Sequence, residues 1–176
     1  DKTTFNSNIS NWNVSNVTVM SQMFWRATSF NQDISGWNVS NVTDMRSMFD
    51  TASSFNQPIG NWNVSNVWQM FGMFQFATSF NQEIRTWTLN PNGVNLSAMF
   101  QQATAFTNNY NVSSTPSQTF WNSYFTDNNI LKTAVNAWIS NPDSTEITYG
   151  NITTWNVLNI TDMSGLFQNK TTFNSN

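Results

Sequence analysis

The chain has no cysteine and no histidine among its 176 residues, and each absence removes a class of chemistry. Without cysteine there is no disulfide framework, no thiol nucleophile and no zinc cluster of the usual kind. Without histidine no Ser-His-Asp triad can be assembled. Charge is scarce as well, at 9% of residues and a net −3, so neither the basic footprint of a nucleic-acid binder nor an acidic tail is present. No run approaches the roughly twenty apolar residues of a membrane span, so no membrane insertion by this segment is expected. No signal peptide is visible, and a start at Asp1 without Met reads as a processed or partial product.

What the chain does have is aromatics, at 15%, and a repeat. Phe30-Asn31-Gln32-Asp33-Ile34-Ser35-Gly36-Trp37-Asn38-Val39-Ser40-Asn41-Val42 returns with few changes from Phe55 to Val67. Further units begin at Phe5 and Phe80. The fourth unit is one residue longer, with the slack in the turn-prone Asn90-Pro91-Asn92-Gly93. A fixed period of this length marks a stack of supersecondary units, each too small to bury its own apolar side.

Two spacings coexist in a unit. Trp37-x-Val39 alternates as a short strand does, whereas Val42, Met45, Met48 and Phe49 step by three and four as one face of a helix. Thr43-Asp44 suits a helix start. The expected fold is therefore an α/β repeat solenoid, a leucine-rich-repeat-like stack with a short parallel strand plus a short helix or helical turn in each coil. Ile34, Trp37, Val39, Val42, Met45, Met48, Phe49 and their counterparts form its core. The blocks are 1–106 as the repeat, 107–151 as an insertion, and 152–176 as the repeat resumed. The insertion carries an amphipathic helix with Ile130, Leu131, Ala134, Val135 and Trp138 on its buried stripe, Thr126 or Asp127 as N-cap and Pro142 as stop.

Lys170-Thr171-Thr172-Phe173-Asn174-Ser175-Asn176 repeats Lys2 to Asn8 letter for letter, 168 positions on. Internal units carry Thr-Ser-Phe-Asn-Gln instead, so the match implies a higher-order tandem repeat. The self-partner it suggests is another copy, covalent or head to tail.

The motif Trp37-Asn38-Val39-Ser40-Asn41-Val42-Thr43-Asp44-Met45 with Met48-Phe49 resembles the BspA-like leucine-rich-repeat surface protein family, with its mycoplasma and Listeria-type surface lipoproteins. The resemblance spans about residues 1–106 and 150–176. It implies an extracellular, cell-surface repeat protein for adhesion or surface structure, and it carries over no catalytic residue.

Candidate sites divide into rows. Asn16, Asn41 and Asn66 share one repeat position and, stacked in register, form an asparagine ladder. Asn111, Asn151 and Asn169 lie in N-x-S/T sequons within expected loops and are the glycosylation candidates. Trp25, Trp68, Phe71 and Phe76 fall outside the repeat's apolar positions and form a candidate contact patch. Carboxylates recur at Asp33 and Glu83 and at Asp44 and Asp162, read as a solvated face or helix-start charge rather than a catalytic or metal pair. A threonine row for ice or mineral binding, Thr18 and Thr43, is broken by Trp68.

The leading expectation is a non-enzymatic extracellular module of a tandem-repeat fibre or surface layer, assembled end to end, with no catalytic residue, metal or cofactor. The alternative is an adhesin module that binds a glycan or a host surface protein through one face of the stack.

Overall fold

The computed structural model describes residues 2–117, 119–122, 128–142, 145, 152, 155, 157 and 160–170. The chain divides into two compact units, Asp1–Trp121 and Asn122–Asn176. A 3₁₀ turn at Lys2–Thr4 precedes the repeats; helices α1 (Thr104–Tyr110), α2 (Thr119–Asn122) and α3 (Asn128–Ser140) follow them.

The expected α/β repeat solenoid, with a strand and a helix in every leucine-rich-repeat-like coil, does not form. Residues 5–103 contain no helix, and no β-strand occurs among the described residues. The β pairing there consists of isolated parallel bridges, Val19 to Asp44, Asp44 to Gln69 and Gln69 to Asn95. Each coil is instead a succession of tight turns. In the second, Trp37 N–H donates to Ile34 C=O, Val42 to Val39, Met48 to Met45, Asp50 to Ser47 and Ala52 to Phe49, at 2.9–3.2 Å.

The run from Met45 to Ala52 shows why a helical spacing gives no helix. Ser47 (φ 48°) and Thr51 (φ 60°) are left-handed, which ends any right-handed helix. The same pair of positions is left-handed at Gln22 and Arg26, at Gly72 and Phe76, and at Ala98 and Gln102. Amides then divide by alternation. Those of Met48, Asp50 and Ala52 close the turns, while those of Met45, Ser47, Phe49 and Thr51 donate to Gln69, Phe71, Met73 and Gln75 one coil later, at 2.7–2.9 Å. Every amide from Met48 to Ala52 is satisfied without strand or helix. A three-and-four apolar spacing serves these turns as well as it serves a helix.

Consecutive coils stack equal residues on equal residues. Phe24, Phe49, Phe74 and Phe100 form one column with ring centroids 5.5–5.8 Å apart. Phe5, Phe30, Phe55, Phe80 and Phe106 form a second, at 5.5–6.0 Å. The columns lie ring against ring, as in Phe49 and Phe55 at 3.9 Å. Such near-parallel stacks add to the burial of the rings themselves. Ile34, Trp37, Val39, Val42, Met45, Met48 and Phe49 are all buried. The extra residue of the fourth coil is taken up at Gly93, whose φ of 106° and bond to Asn90 C=O close the longer turn.

The stack is closed after its fourth coil by residues outside the repeat. Phe100 N–H donates to Ser114 C=O at 2.9 Å, where Phe74 uses Met99, and Ala98 N–H donates to Thr115 Oγ1 at 2.8 Å. In the second unit, α3 buries Leu131, Ala134 and Val135, with Leu166 in the same cluster. Ile130, expected on that buried stripe, is 41% exposed, and Trp138 is half-buried. Thr126 and Asp127 lie outside the described residues.

Candidate functional site

The end of the stack formed by the first coil is open. Trp12 is 56% exposed, whereas its counterparts Trp37, Trp62 and Trp87 are buried. Each buried tryptophan donates its Nε1–H to the isoleucine carbonyl of the preceding coil, 28 residues back: Trp37 to Ile9, Trp62 to Ile34, Trp87 to Ile59, at 3.0–3.3 Å. Trp12 makes no such bond among the described residues. It lines an apolar groove of roughly 720 Å³ with Val14, Val17, Val19, Met20 and Met23. Val19 is likewise 56% exposed.

Polar rows run along the flanks. Asn41 Nδ2 donates to Ser15 C=O and Asn66 Nδ2 to Ser40 C=O, both at 2.8 Å. Asn41 and Asn66 of this row thus bind backbone carbonyls of the preceding coil, and Asn16, on the first coil, makes no such bond among the described residues. A second asparagine row escaped the sequence reading. Asn31 N–H donates to Asn6 Oδ1, Asn56 to Asn31 and Asn81 to Asn56, at 2.9–3.0 Å. Gln32, Gln57 and Gln82 add their Nε2 to the same oxygens. The Phe-Asn-Gln opening the second, third and fourth units was the available signal.

The carboxylates are turn-formers, not helix-start charges. Asp33 Oδ1 accepts from Ser35 N–H, Asp44 Oδ1 from Arg46 N–H, Glu83 Oε1 from Arg85 N–H and Asp162 Oδ1 from Ser164 N–H. Asn8 and Asn13 do the same for Ser10 and Ser15. The Ser35 hydroxyl and N–H hold Asp33 below the ordinary carboxylate range, and the bonds from Ser164 do so for Asp162. Asp44 also receives Arg46 Nε and Nη2, which raises the Arg46 guanidinium further. Among the described residues no cluster of acidic side chains could hold a metal ion.

Of the patch candidates, Trp68, Phe71 and Phe76 are exposed at 43–51% on the third coil. No ring contact joins them. Trp25 is half-buried, with the Arg26 guanidinium 4.5 Å from its ring and Lys2 Nζ at 5.9 Å. Asn111 is exposed, left-handed at φ 47°, and closes α1; Asn169 is exposed at φ 62°. Asn151 lies outside the described residues.

No helix of the described residues is long and apolar enough to cross a membrane. A family model described as "Mycoplasma protein of unknown function, DUF285" matches residues 1–113, 37–138 and 139–176. The first two matches overlap, as an internally repeated chain allows. No curated protein and no solved structure matches the chain.

Proposed function

This chain belongs to the DUF285 family, and we propose that it is a non-enzymatic module of an extracellular fibre or surface layer, assembled end to end. The observation that carries this reading is the asymmetry of the first unit's stack. One end is covered by Ser114, Thr115 and Trp121, while the other leaves Trp12 and Val19 in water. A stack that joins each coil to the next by repeated bonds and ends on an unmet apolar face is suited to addition at that face. The cell-surface placement rests on the finer resemblance to BspA-like surface proteins and on a polarity made of amides and hydroxyls rather than charge. Light scattering and electron microscopy of the purified chain test it. Multi-copy particles that grow with concentration support assembly, and a monodisperse 20.1 kDa species at every concentration overturns it.

A second reading has its own observation. Trp68, Phe71 and Phe76 expose large aromatic surface on one coil without serving the core, which favours an adhesin face for glycans or a host protein. Glycan or cell binding lost in Trp68→Ser, with assembly retained, would select it.

A further inference from the structure

Each coil contact in the first unit is made by the same groups. From one coil, the N–H groups of Met20, Gln22, Phe24 and Arg26 donate to the carbonyls of Asp44, Arg46, Met48 and Asp50, each 24 residues later. From the other, a tryptophan Nε1 reaches back 28 residues to an isoleucine carbonyl. The first coil has the receiving half of this contact, unfilled among the described residues. Its carbonyls at Val19, Ser21, Met23 and Trp25, equivalent to those of Asp44, Arg46, Met48 and Asp50, accept no hydrogen bond among the described residues.

The described residues between 152 and 170 repeat the turn bonds of a coil. Trp155 N–H donates to Ile152, Ile160 to Val157, Leu166 to Met163, Gln168 to Gly165 and Lys170 to Phe167, at 2.9–3.3 Å. The first coil has the same five turns from Ile9 to Ala27. Gly165 (φ 65°) and Asn169 (φ 62°) stand where Gln22 (φ 59°) and Arg26 (φ 60°) stand. Yet Met163 and Phe167 are 48% and 46% exposed, while Met20 and Phe24 at the same positions are at 3%. The N–H groups of Met163, Gly165 and Asn169 meet no acceptor among the described residues.

The two halves share one register. Setting Lys2 of a second copy at Lys170, as the duplicated heptapeptide dictates, places Trp12 28 positions beyond Ile152. The same setting places Val19, Ser21 and Trp25 24 positions beyond Met163, Gly165 and Asn169, the spacing of Met20 to Asp44. We propose that residues 152–170 of one copy dock as a coil on the open first coil of a second copy. Trp12 Nε1 then donates to the Ile152 carbonyl, the amides of Met163, Gly165 and Asn169 donate to Val19, Ser21 and Trp25, and Phe167 covers Phe24. This rests on the end-to-end reading above and names its two surfaces.

The cysteine-free chain permits a direct test with single-cysteine variants. Gln22, Ser47 and Gly72 share one column, in which a Cβ on Gly72 would lie 3.4 Å from Ser47 Oγ. The partner of Gln22 across the proposed contact is Gly165. Gln22→Cys and Gly165→Cys chains, mixed and oxidised with copper phenanthroline, should form the mixed dimer at least tenfold faster than either homodimer. Trp25→Cys with Gln168→Cys, on the column where Gln75 and Gln101 touch at 2.7 Å, gives an independent pair that leaves the left-handed positions intact. Adding Trp12→Asp should abolish both cross-links. Equal rates for all three dimers overturn the proposal, as do cross-links that survive Trp12→Asp. Association by scattering without either mixed dimer removes these surfaces but leaves end-to-end assembly standing, and no association removes both.

Discussion

Trp121 Nε1 donates to the carbonyl of Ile84 at 3.1 Å, the bond that Trp37, Trp62 and Trp87 make to Ile9, Ile34 and Ile59. Trp121 stands 37 residues after Ile84 rather than 28, in a segment without repeat code. It also lies 6.5 Å from Phe100 at 26°, as Trp87 lies 6.4 Å from Phe74 at 29°. A side chain from outside the repeat thus fills the place of a fifth repeat tryptophan. Truncating it should uncap that end of the stack. Trp121→Ala is expected to lower the unfolding free energy by about 3–5 kcal/mol. Trp121→Phe, which keeps the stacking and loses the bond to a buried carbonyl, should cost about 1–3 kcal/mol. Urea unfolding of both variants measures the difference, and a Trp121→Phe variant as stable as the parent would show that the bond contributes nothing.

The open and covered coils should respond unequally to the same substitution. Trp62→Ala removes a buried ring and its bond to Ile34, for an expected loss of about 3–5 kcal/mol. Trp12→Ala, on the exposed face, should stay within about 0.5 kcal/mol in dilute, unassociated protein. Denaturant midpoints of the pair, taken at low protein concentration, decide it.

Gly60 is required by a close approach between coils. A Cβ there would fall 2.3 Å from the Glu83 carbonyl oxygen, a backbone atom that cannot rotate away. Gly60→Ala should therefore destabilise by about 1–3 kcal/mol, the range of an overpacked contact. At Gly36, where nothing lies within 4 Å, the same change should be nearly neutral. Thermal unfolding of the two alanine variants supplies the comparison.

Tyr110 packs against Phe106 and Phe120, with the Arg85 guanidinium 5.0 Å from its ring. Burial, then the nearby Glu83 carboxylate, push its phenol up to about 12, partly offset by Arg85 and a bond with Asn109. The neutral phenol is thus favoured in the folded state relative to the unfolded chain, where it ionises near 10.0. Between these values the unfolded chain binds fewer protons than the native one, so this stabilisation is full below pH 10 and declines as pH rises toward 12. Phenolate absorbance should show one of the three tyrosines titrating last, and Tyr110→Phe should remove that step.

The period, the core of the second and third coils and the unsuitability of the chain for cysteine or histidine chemistry were legible in the sequence, because apolar identity at a fixed spacing is sufficient to assign them. The exposure of the counterparts Trp12, Met163 and Phe167 was not legible, because burial there depends on a neighbouring coil. Phe24, Phe49, Phe74 and Phe100 are recognisable as a column from position alone. The form of each coil was not. Val42, Met45, Met48 and Phe49 satisfy a helical spacing, yet the stack uses them in turns, because left-handed Ser47 and Thr51 free alternate amides to bond one coil onward. Serine and threonine carry no local mark of that conformation; it is imposed by neighbours 24 residues away, whose carbonyls lie opposite. The cap was hidden for the same reason, since nothing in the spacing of Ser114 or Trp121 relates them to Met99 or Trp87. Sequence determined which residues recur and therefore stack. Only the tertiary structure decided how the backbone between them is satisfied and which end of the stack is left unmet, because both depend on contacts between coils rather than within one.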